Sequence, residues 1–438
     1  MQEKKSIVWF TNNLRVIDNA SLYNASKDSD KVIGYYNFQS KDFENDKWGF
    51  RRTGRFRTKF LLESLENLKK KLLDLNISLI IDFSPNMEGL VKWINKLKVS
   101  SIYYQREWTD YEILNEKELK NKLPKDFKFN NEFDQFLFHP IDVKKSIESI
   151  DDIFSVFRKK IEKNIKVREC YPEPKKFTNE NLLKVKFDIP NINSIGYEVI
   201  KVHPNSAFPF LGGSDEGVKR IEYYFWVSKK LSFYKKTRNG LLGSDYSSKL
   251  SSWLANGALS AKQIYWEVKS YEKEVLKNSS TYWLIFELLW RDYFKFVSMK
   301  YGNKIFHLNG ISSAKRDWNR DTKKINDWIN GKTKEPFINS NMIELKKTGW
   351  MSNRGRQNVA SYLTKDLQID WRIGAAYFES MLIDYDVHSN YGNWMYNAGV
   401  GNDPLPDRKF NPKIQSERYD PNKMFQKLWL NTQYEIDL

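Results

Sequence analysis

The sequence predicts an α/β domain built on a parallel, Rossmann-like sheet, followed by an all-α domain. The chain has 438 residues, more than one typical core holds. Short apolar runs alternate with helical patterns over the first 130 residues, and only helical patterns occur from about residue 206. Strand–helix alternation is typical of a parallel sheet covered by helices. We therefore expect domains at 1–130 and 206–438, joined by a connector at 131–205.

Four strands and two helices support the α/β prediction. The apolar runs that read as strands lie at 6–10, 31–36, 77–83 and 101–104. Apolar residues recur at helical spacing within 56–75, and a second helix is expected at 87–97. No GxGxxG motif opens the first helix, so a standard dinucleotide fingerprint is excluded.

The connector and the C-terminal domain differ in pattern. The connector is rich in Pro and Asn, and one helix is expected there at 150–163. Seven helices are expected in the C-terminal domain, at 218–227, 261–275, 282–301, 323–330, 339–347, 357–366 and 373–382. No alternating strand pattern interrupts them.

Charge and composition restrict the function. Net charge is +17, and aromatic residues make up 15% of the chain, a composition typical of nucleic-acid binders, although a Lys-rich genome gives the same bias. One cysteine excludes an intrachain disulfide, and the four His have no metal-binding spacing, so no metal site is expected. Neither a signal peptide nor a membrane span is recognisable, so a cytoplasmic protein is expected.

The segment 383–396 carries the densest chemistry. It contains two carboxylates, a carboxamide, an indole and a phenol, from Asp384, Asp386, Asn390, Trp394 and Tyr396. Polar groups among aromatics suit a cofactor with a polar ring edge and a large apolar face. The segment therefore indicates a flavin or another flat heterocycle.

Three further segments have a functional and a structural interpretation. The Gly- and Ser-rich loop at 237–251 suits an anion, or its serines simply cap the following helix. One helix face carries Glu287, Trp290 and Arg291. These side chains could hold a flat ligand, or Trp290 could belong to the core while the two charged residues form a surface ion pair. The donors at 353–356 suit phosphate or carboxylate, or form a solvated basic turn.

Together, these segments resemble the photolyase/cryptochrome family. The matching motifs lie in family order along nearly the whole chain, at 9–15, 234–238, 247–254, 287–294, 331–333, 348–354, 365–367, 369–371 and 383–396. The wording is most similar to DASH-type cryptochromes. Gln357 and Tyr396 stand where pyrimidine-dimer photolyases carry Met and Trp, and both are DASH-like choices.

The resemblance implies an all-α domain that binds FAD. Its phosphates and ribityl chain are expected at Tyr234, Ser247, Ser248, Lys249, Leu250 and Ser251. Glu287 and Arg291 are expected near the pocket floor, and Arg356 and Asp384 as an ion pair beside the ring. Asp386 and Asn390 are expected at its polar edge, with Tyr385 between the aspartates.

The resemblance also implies the reaction, in which light-excited reduced FAD donates an electron to a cyclobutane pyrimidine dimer. Trp394, Trp371 and Trp318 match the family's path of tryptophans to the surface, and core packing is their structural alternative. With Asn390 and Glu287 they are the residues expected to take part in catalysis.

Damaged DNA is expected to leave its stack and enter the pocket. The matched pocket residues are Glu287, Trp290, Asn353, Gln357 and Tyr396, and the backbone is expected at Arg238, Arg354 and basic groups near Lys295 and Lys409. Gln and Tyr in place of Met and Trp reduce stacking, which favours single-stranded DNA, with duplex loops and RNA as further candidates.

The N-terminal domain is expected to hold an antenna, methenyltetrahydrofolate, at Glu107, and the protein is expected to be a monomer. Two other functions stay open: a blue-light photoreceptor, and a nucleic-acid-binding protein with a vestigial flavin site. A chain ending at Leu438 lacks the long tail of many signalling cryptochromes, and retention of all three tryptophans disfavours a vestigial site. The pocket has no His of the kind that (6-4) photolyases use.

Overall fold

The computed structural model describes residues 3–143, 149–313 and 316–431. Its N-terminal part is a five-stranded parallel sheet in the order β3-β2-β1-β4-β5. The strands are β1 (Lys5–Trp9), β2 (Lys31–Asn37), β3 (Leu79–Asp82), β4 (Ser101–Gln105) and β5 (Lys128–Glu132). Four helices accompany them: α1 (Ala20–Asp28), α2 (Arg55–Asp74), α3 (Glu88–Leu97) and α4 (Asp110–Lys122).

The predicted α/β class is confirmed. In the central strand, Ile7 pairs with Ile33 on one side and Ile102 on the other, and all three side chains are buried. The sequence did not predict β5, because this edge strand has no apolar run and none of its residues is buried. It ends at Glu132, beyond the proposed boundary at residue 130.

Among its described residues, the connector contains one α-helix, α5 (Phe154–Asn164), close to its predicted position. Phe154, Phe157 and Ile161 lie on one face of α5 and are buried in the core of the following domain. The connector therefore helps to build the C-terminal domain as well as linking the two.

The C-terminal domain is helical, as predicted. Its α-helices are α6 (Ser214–Ile221), α7 (Tyr234–Thr237), α8 (Ser251–Ala255), α9 (Ala261–Glu274), α10 (Ser279–Tyr301), α11 (Thr322–Ile329), α12 (Pro336–Thr348), α13 (Asn353–Ser361), α14 (Trp371–Met381), α15 (Val387–Ala398), α16 (Pro412–Tyr419) and α17 (Met424–Asn431). The π-helical segments Glu222–Val227 and Tyr362–Asp366 continue α6 and α13.

Two of these helices position the site. A capping box between Asn278 and Thr281 begins α10, whose buried side chains form much of the central core. Asp386 caps α15 by accepting a hydrogen bond from the backbone N–H of Ser389. The polar segment singled out in the sequence thus contains a helix start, with α15 packed against α10 and α14. None of the helices in the described ranges is both long and apolar enough to cross a membrane.

Candidate active site

A small cavity, called here the polar cavity, brings together eight of the predicted site residues. Its volume is about 80 Å³. Helices α13, α14 and α15 and the loop before α15 form its walls. The predicted residues that line it are Asn353, Arg356, Gln357, Asp384, Tyr385, Asp386, Asn390 and Trp394.

One wall of the polar cavity is an ion pair. A single guanidinium nitrogen, Nη2 of Arg356, lies 2.9 and 3.0 Å from the two carboxylate oxygens of Asp384. The hydroxyl of Ser251 donates to the same carboxylate at 2.7 Å, and Nε of Arg356 donates to the carbonyl of Met351. Ser251, from the predicted phosphate loop, is therefore tied to the ring-binding residues, a connection that sequence spacing does not reveal.

A second carboxylate is kept ionised. Burial alone would raise the pKa of Asp386, but attraction to Lys295, 2.9 Å away, and to Arg291 holds it well below its usual value. Burial in turn lowers the pKa of Lys295, and Asp386 opposes that shift. Since both effects depend on the pair, we assign an ion pair with Asp386 negatively charged.

Asn390 is held in one orientation. Its side-chain nitrogen donates to the carbonyl of Ala375 at 3.0 Å, which leaves the second N–H and the oxygen of the carboxamide for a ligand. Gln357 also lines the polar cavity, and its side-chain oxygen is buried without a hydrogen-bond partner in the described structure. The polar edge of a flavin would satisfy the free groups of Asn390, so Asn390 fits a flavin, whereas the oxygen of Gln357 is left for a donor on the lesion.

The three tryptophans lie in one apolar cluster. Trp394 is buried and lines the polar cavity, Trp371 is buried, and Trp318 is partly exposed. A Cβ on Gly374 would lie 2.2 Å from the Trp394 ring, so the glycine is needed for this packing. Asn319, next to Trp318, pairs through its backbone with Gln368 and Asp370, which brings Trp318 to the start of α14 at Trp371.

The predicted phosphate loop lines neither the polar cavity nor the larger cavity described below. Tyr234, Ser248, Lys249 and Leu250 are buried and Ser247 is partly buried. The ammonium of Lys249 lies 3.3 Å from the ring centroid of Tyr246, inside the core. Arg220, which the sequence did not single out, organises the loop by donating to the carbonyls of Ser247 and Ser248.

Arg238, Trp290 and Tyr396, which were also expected to contact DNA, form a separate group around α10. Arg238 pairs with Glu287 at 2.6 Å, and burial raises the pKa of this glutamate while Arg238 opposes the shift. Tyr396 meets Trp290 edge to face with ring centroids 6.0 Å apart. Trp290 also stacks on Phe154 of the connector at 3.6 Å, a contact that only the folded chain reveals.

The remaining basic groups differ in exposure. Arg354 donates to the side chain of Asn239 and covers the ring of Tyr419. Lys409 is exposed and pairs with Asp366. Basic groups near Lys295 were expected to hold the DNA backbone, and Lys295 itself is not one of them, because its side chain is only 3% exposed and its ammonium pairs with Asp386.

A larger cavity of about 580 Å³, called here the interdomain cavity, lies between the sheet and the helical domain. Trp9, Asn37 and Gln105 line it from the carboxyl ends of β1, β2 and β4, where open parallel sheets bind ligands. Tyr385 and Asp386 line this cavity as well as the polar cavity. The two cavities are therefore neighbours.

Glu107 lies in the interdomain cavity, where the antenna was expected. The side-chain amides of Gln105 and Gln135 donate to its two carboxylate oxygens at 2.5 and 3.3 Å. Burial raises the pKa of Glu107, with Lys295 opposing the shift. Arg291, which was expected near the floor of the flavin pocket, lines this cavity and donates to the carbonyls of Gln135 and Leu254.

Comparison with known proteins agrees with the fold. The family described as the FAD binding domain of DNA photolyase matches residues 283–437, and DNA photolyase matches residues 6–176. Cryptochrome DASH of Gloeobacter violaceus is 41% identical over 98% of this chain and 86% of its own length. Cryptochrome DASH of Synechocystis is 42% identical over 97% of this chain and 87% of its own.

Solved structures agree. The crystal structure of the Synechocystis cryptochrome superposes with a TM-score of 0.93 at 41% identity, covering 98% of this chain and 90% of that one. An archaeal photolyase from Sulfolobus tokodaii, solved with two FAD molecules, shares the fold with a TM-score of 0.78 at 24% identity, over 99% of this chain and 91% of that one. The chain therefore belongs to the photolyase/cryptochrome family, and within it to the DASH-type cryptochromes.

Proposed function

We propose that this protein repairs cyclobutane pyrimidine dimers, mainly in single-stranded DNA, using FAD and light. The observation that carries the proposal is the shared lining of the polar cavity. Residues matched to flavin binding, Asp386 and Asn390, line the same cavity as the lesion-pocket residues Asn353 and Gln357. A cavity of about 80 Å³ is too small to enclose either group, so it marks the place where the edge of the cofactor and a flipped-out lesion would meet.

The chain's own groups would hold the cofactor and stabilise its charge. FAD, when bound, reduced and excited by light, supplies the electron that opens the cyclobutane ring and recovers it afterwards. The ion pair of Arg356 and Asp384 fixes one edge of the cavity. The carboxamide of Asn390 can donate a hydrogen bond to the cofactor but is not an acid that would protonate it. Trp394, Trp371 and Trp318 would conduct electrons between the cavity and the surface.

The preference for single strands follows from the lesion pocket. Extruding a dimer from a duplex costs pairing and stacking energy, which contacts in the pocket must offset. Stacking on an aromatic side chain contributes about 1–3 kcal/mol per base. Gln357 has no aromatic face and Tyr396 has a smaller one than Trp, so capture is strong enough only where the lesion is already unpaired.

The decisive experiment is illumination of the reduced protein with dimer-containing oligonucleotides, single-stranded and duplex, while thymine recovery is followed by absorbance. We expect faster repair of the single strand. Equal rates on the two substrates would remove the strand preference. No recovery on either would favour the alternative of a blue-light photoreceptor that uses the same flavin site.

We also propose that the interdomain cavity holds an antenna, methenyltetrahydrofolate. The partly buried carboxylate of Glu107 suits the amino and N–H groups of a pterin, and the proposed domains 1–130 and 206–438 would enclose the pterin between them. The photolyase from Sulfolobus tokodaii, with its two FAD molecules, makes a second flavin the competing occupant. Reconstitution with each compound tests this: Glu107→Gln should lose the near-ultraviolet absorbance of bound folate and retain FAD.

A further inference from the structure

A continuous row of aromatic rings leads away from the lesion pocket along α10. Trp283, Phe286 and Trp290 are spaced so that they share one face of this helix. Trp283 and Phe286 stack with centroids 4.5 Å apart. Phe154 meets Phe286 edge to face at 5.2 Å and stacks on Trp290, which contacts Tyr396. We call these five residues the aromatic row.

Cations lie over the far end of the aromatic row. The ammonium of Lys235 is 4.4 Å from the ring centroid of Trp283, and the guanidinium of Arg238 is 5.6 Å from it. Arg158 lies 5.6 Å from the ring of Phe286. Three positive side chains thus surround two stacked rings, which is the combination that single-stranded nucleic acid requires.

Lys235 distinguishes this arrangement from ordinary core packing. Arg238 pairs with Glu287 and Arg158 with Glu162, but Lys235 is exposed and pairs with no carboxylate among the described residues. Phe233, two residues before Lys235, is 56% exposed, and Lys236, the residue after Lys235, is also exposed. A positive and aromatic surface of this kind is complementary to a phosphate backbone with unpaired bases.

The distance between Trp283 and Trp290 suits bases next to a lesion. Seven residues along an α-helix correspond to a rise of about 10.5 Å. One strand advances about 3.4 Å per stacked nucleotide. A strand leaving the lesion pocket at Trp290 would therefore reach Trp283 within about three nucleotides.

We propose that Trp283, Phe286 and Lys235 form a subsite for single-stranded nucleic acid, which holds the nucleotides that flank the lesion. Trp283 and Phe286 are partly exposed, and an unpaired base would stack on the part of the Trp283 ring that Lys235 covers, while the ammonium of Lys235 turns to a phosphate. Paired bases cannot stack there, so the subsite adds to the strand preference. Its role beside a lesion rests on the proposed repair function, but its binding of undamaged strands does not.

The first test measures binding in the dark of undamaged fluorescent oligothymidylate to the full chain. Trp283→Leu should weaken binding roughly tenfold, within the range found for loss of one stacked base. Lys235→Gln should lower the slope of log affinity against log salt by about 0.7, as expected for one lost phosphate contact on a single strand. Because Lys235 is exposed, this second variant keeps the test valid even if Trp283→Leu folds poorly.

The N-terminal domain offers matched controls. Lys96 covers the ring of partly buried Trp93 at 4.6 Å, a pair of the same chemistry on α3. Trp93→Leu and Lys96→Gln should leave both the affinity and the salt slope unchanged. Unchanged binding in Trp283→Leu and Lys235→Gln, or equal losses in the control variants, would overturn the proposal.

Substrate length separates the subsite from the repair chemistry. Under light, Trp283→Leu should repair an isolated thymine-dimer dinucleotide as fast as the unchanged protein does, but should need a higher concentration of a longer strand for half-maximal repair. An equal loss on both substrates would contradict a flanking role. If no dimer is repaired by any form, the repair proposal fails, whereas weaker oligothymidylate binding would still support the subsite.

Discussion

The ammonium of Lys295 lies 2.9 Å from Oδ2 of Asp386, where the polar cavity and the interdomain cavity meet. The side chain of Lys295 is almost fully buried and that of Asp386 is 14% exposed, and Asp386 also begins α15 through its contact with Ser389. One ion pair thus fixes the helix that carries Asn390, Trp394 and Tyr396. Because Asp386 lines both cavities, a charged ligand that binds in one of them should change the electrostatic potential in the other.

Removing Lys295 should therefore destabilise the protein and its flavin site. In Lys295→Met, Asp386 is left as a buried charge without its partner, at a cost of about 3–5 kcal/mol. Urea unfolding should show this loss, and FAD should dissociate more readily. Lys300→Met on the same helix is the control, because its partner Asp152 is half exposed and the pair contributes less than about 1 kcal/mol. Equal losses in the two variants would contradict the assignment.

Glu112, in the interdomain cavity, should make stability depend on pH. Burial raises its pKa to about 8, and the neighbouring Glu107 adds to the shift. In the unfolded chain the pKa of this carboxyl is 4.5. The free energy of unfolding should therefore fall as pH rises from 4.5 to about 8, and should change little at higher pH. Glu112→Gln cannot ionise at this position. The difference in free energy of unfolding between this variant and the unchanged protein should therefore shift in favour of the variant by roughly 2–4 kcal/mol between a pH of about 5 and a pH of about 8.5.

Urea unfolding at both pH values measures this gain. Glu118→Gln, on the same helix, is the control, because its pair with Lys122 is solvent-accessible and should give no comparable pH dependence. If the difference between Glu112→Gln and the unchanged protein were the same at both pH values, Glu112 would not be the titrating group.

Trp394→Phe should prevent photoreduction of bound FAD while the fold is retained. A phenyl ring fills most of the space but is much harder to oxidise than an indole, so the first step of the electron path is lost. Trp328→Phe is the matched control: Trp328 is buried, and its ring lies 6.3 Å from that of Trp394, but it is not on the proposed path. Absorbance during illumination should show slow reduction only in Trp394→Phe. Normal photoreduction there would remove the path.

The sequence predicted the fold class and most of the helices. These helices bury one face, so their apolar residues recur at helical spacing and can be recognised in the sequence. It missed β5, whose residues are too polar to form an apolar run, two helices of the sheet domain, α1 and α4, and also α15, whose polar, aromatic sequence looked like a binding segment. Resemblance identified the residues around the polar cavity. It could not reveal contacts across long stretches of chain, such as Phe154 on Trp290 or Ser251 on Asp384, which exist only once the chain has folded.

Lys295 illustrates the limit most clearly. In the sequence it is one more positive charge in a basic chain, and a DNA contact was the natural expectation. Whether a lysine faces solvent or a carboxylate depends on the face of α10 that it occupies and on what packs there. Arg291, on the same helix, likewise faces the interdomain cavity and not the polar cavity.

Restoring the apolar lesion pocket should extend repair to duplex DNA. In Gln357→Met with Tyr396→Trp, the second change enlarges the stacking surface beside Trp290, and the first removes a side-chain oxygen that is buried without a partner in the described structure. A gain of about 1–2 kcal/mol in lesion capture corresponds to roughly five- to thirtyfold. Repair rates on single-stranded and duplex substrates should approach each other by that factor, mainly through a faster duplex reaction.

Tyr391→Trp, which enlarges an aromatic ring on the interdomain cavity side of α15, should leave the ratio unchanged. A double variant that gained equally on both substrates would show that the pocket sets overall affinity and that the strand preference arises elsewhere, with the aromatic row as the next region to examine.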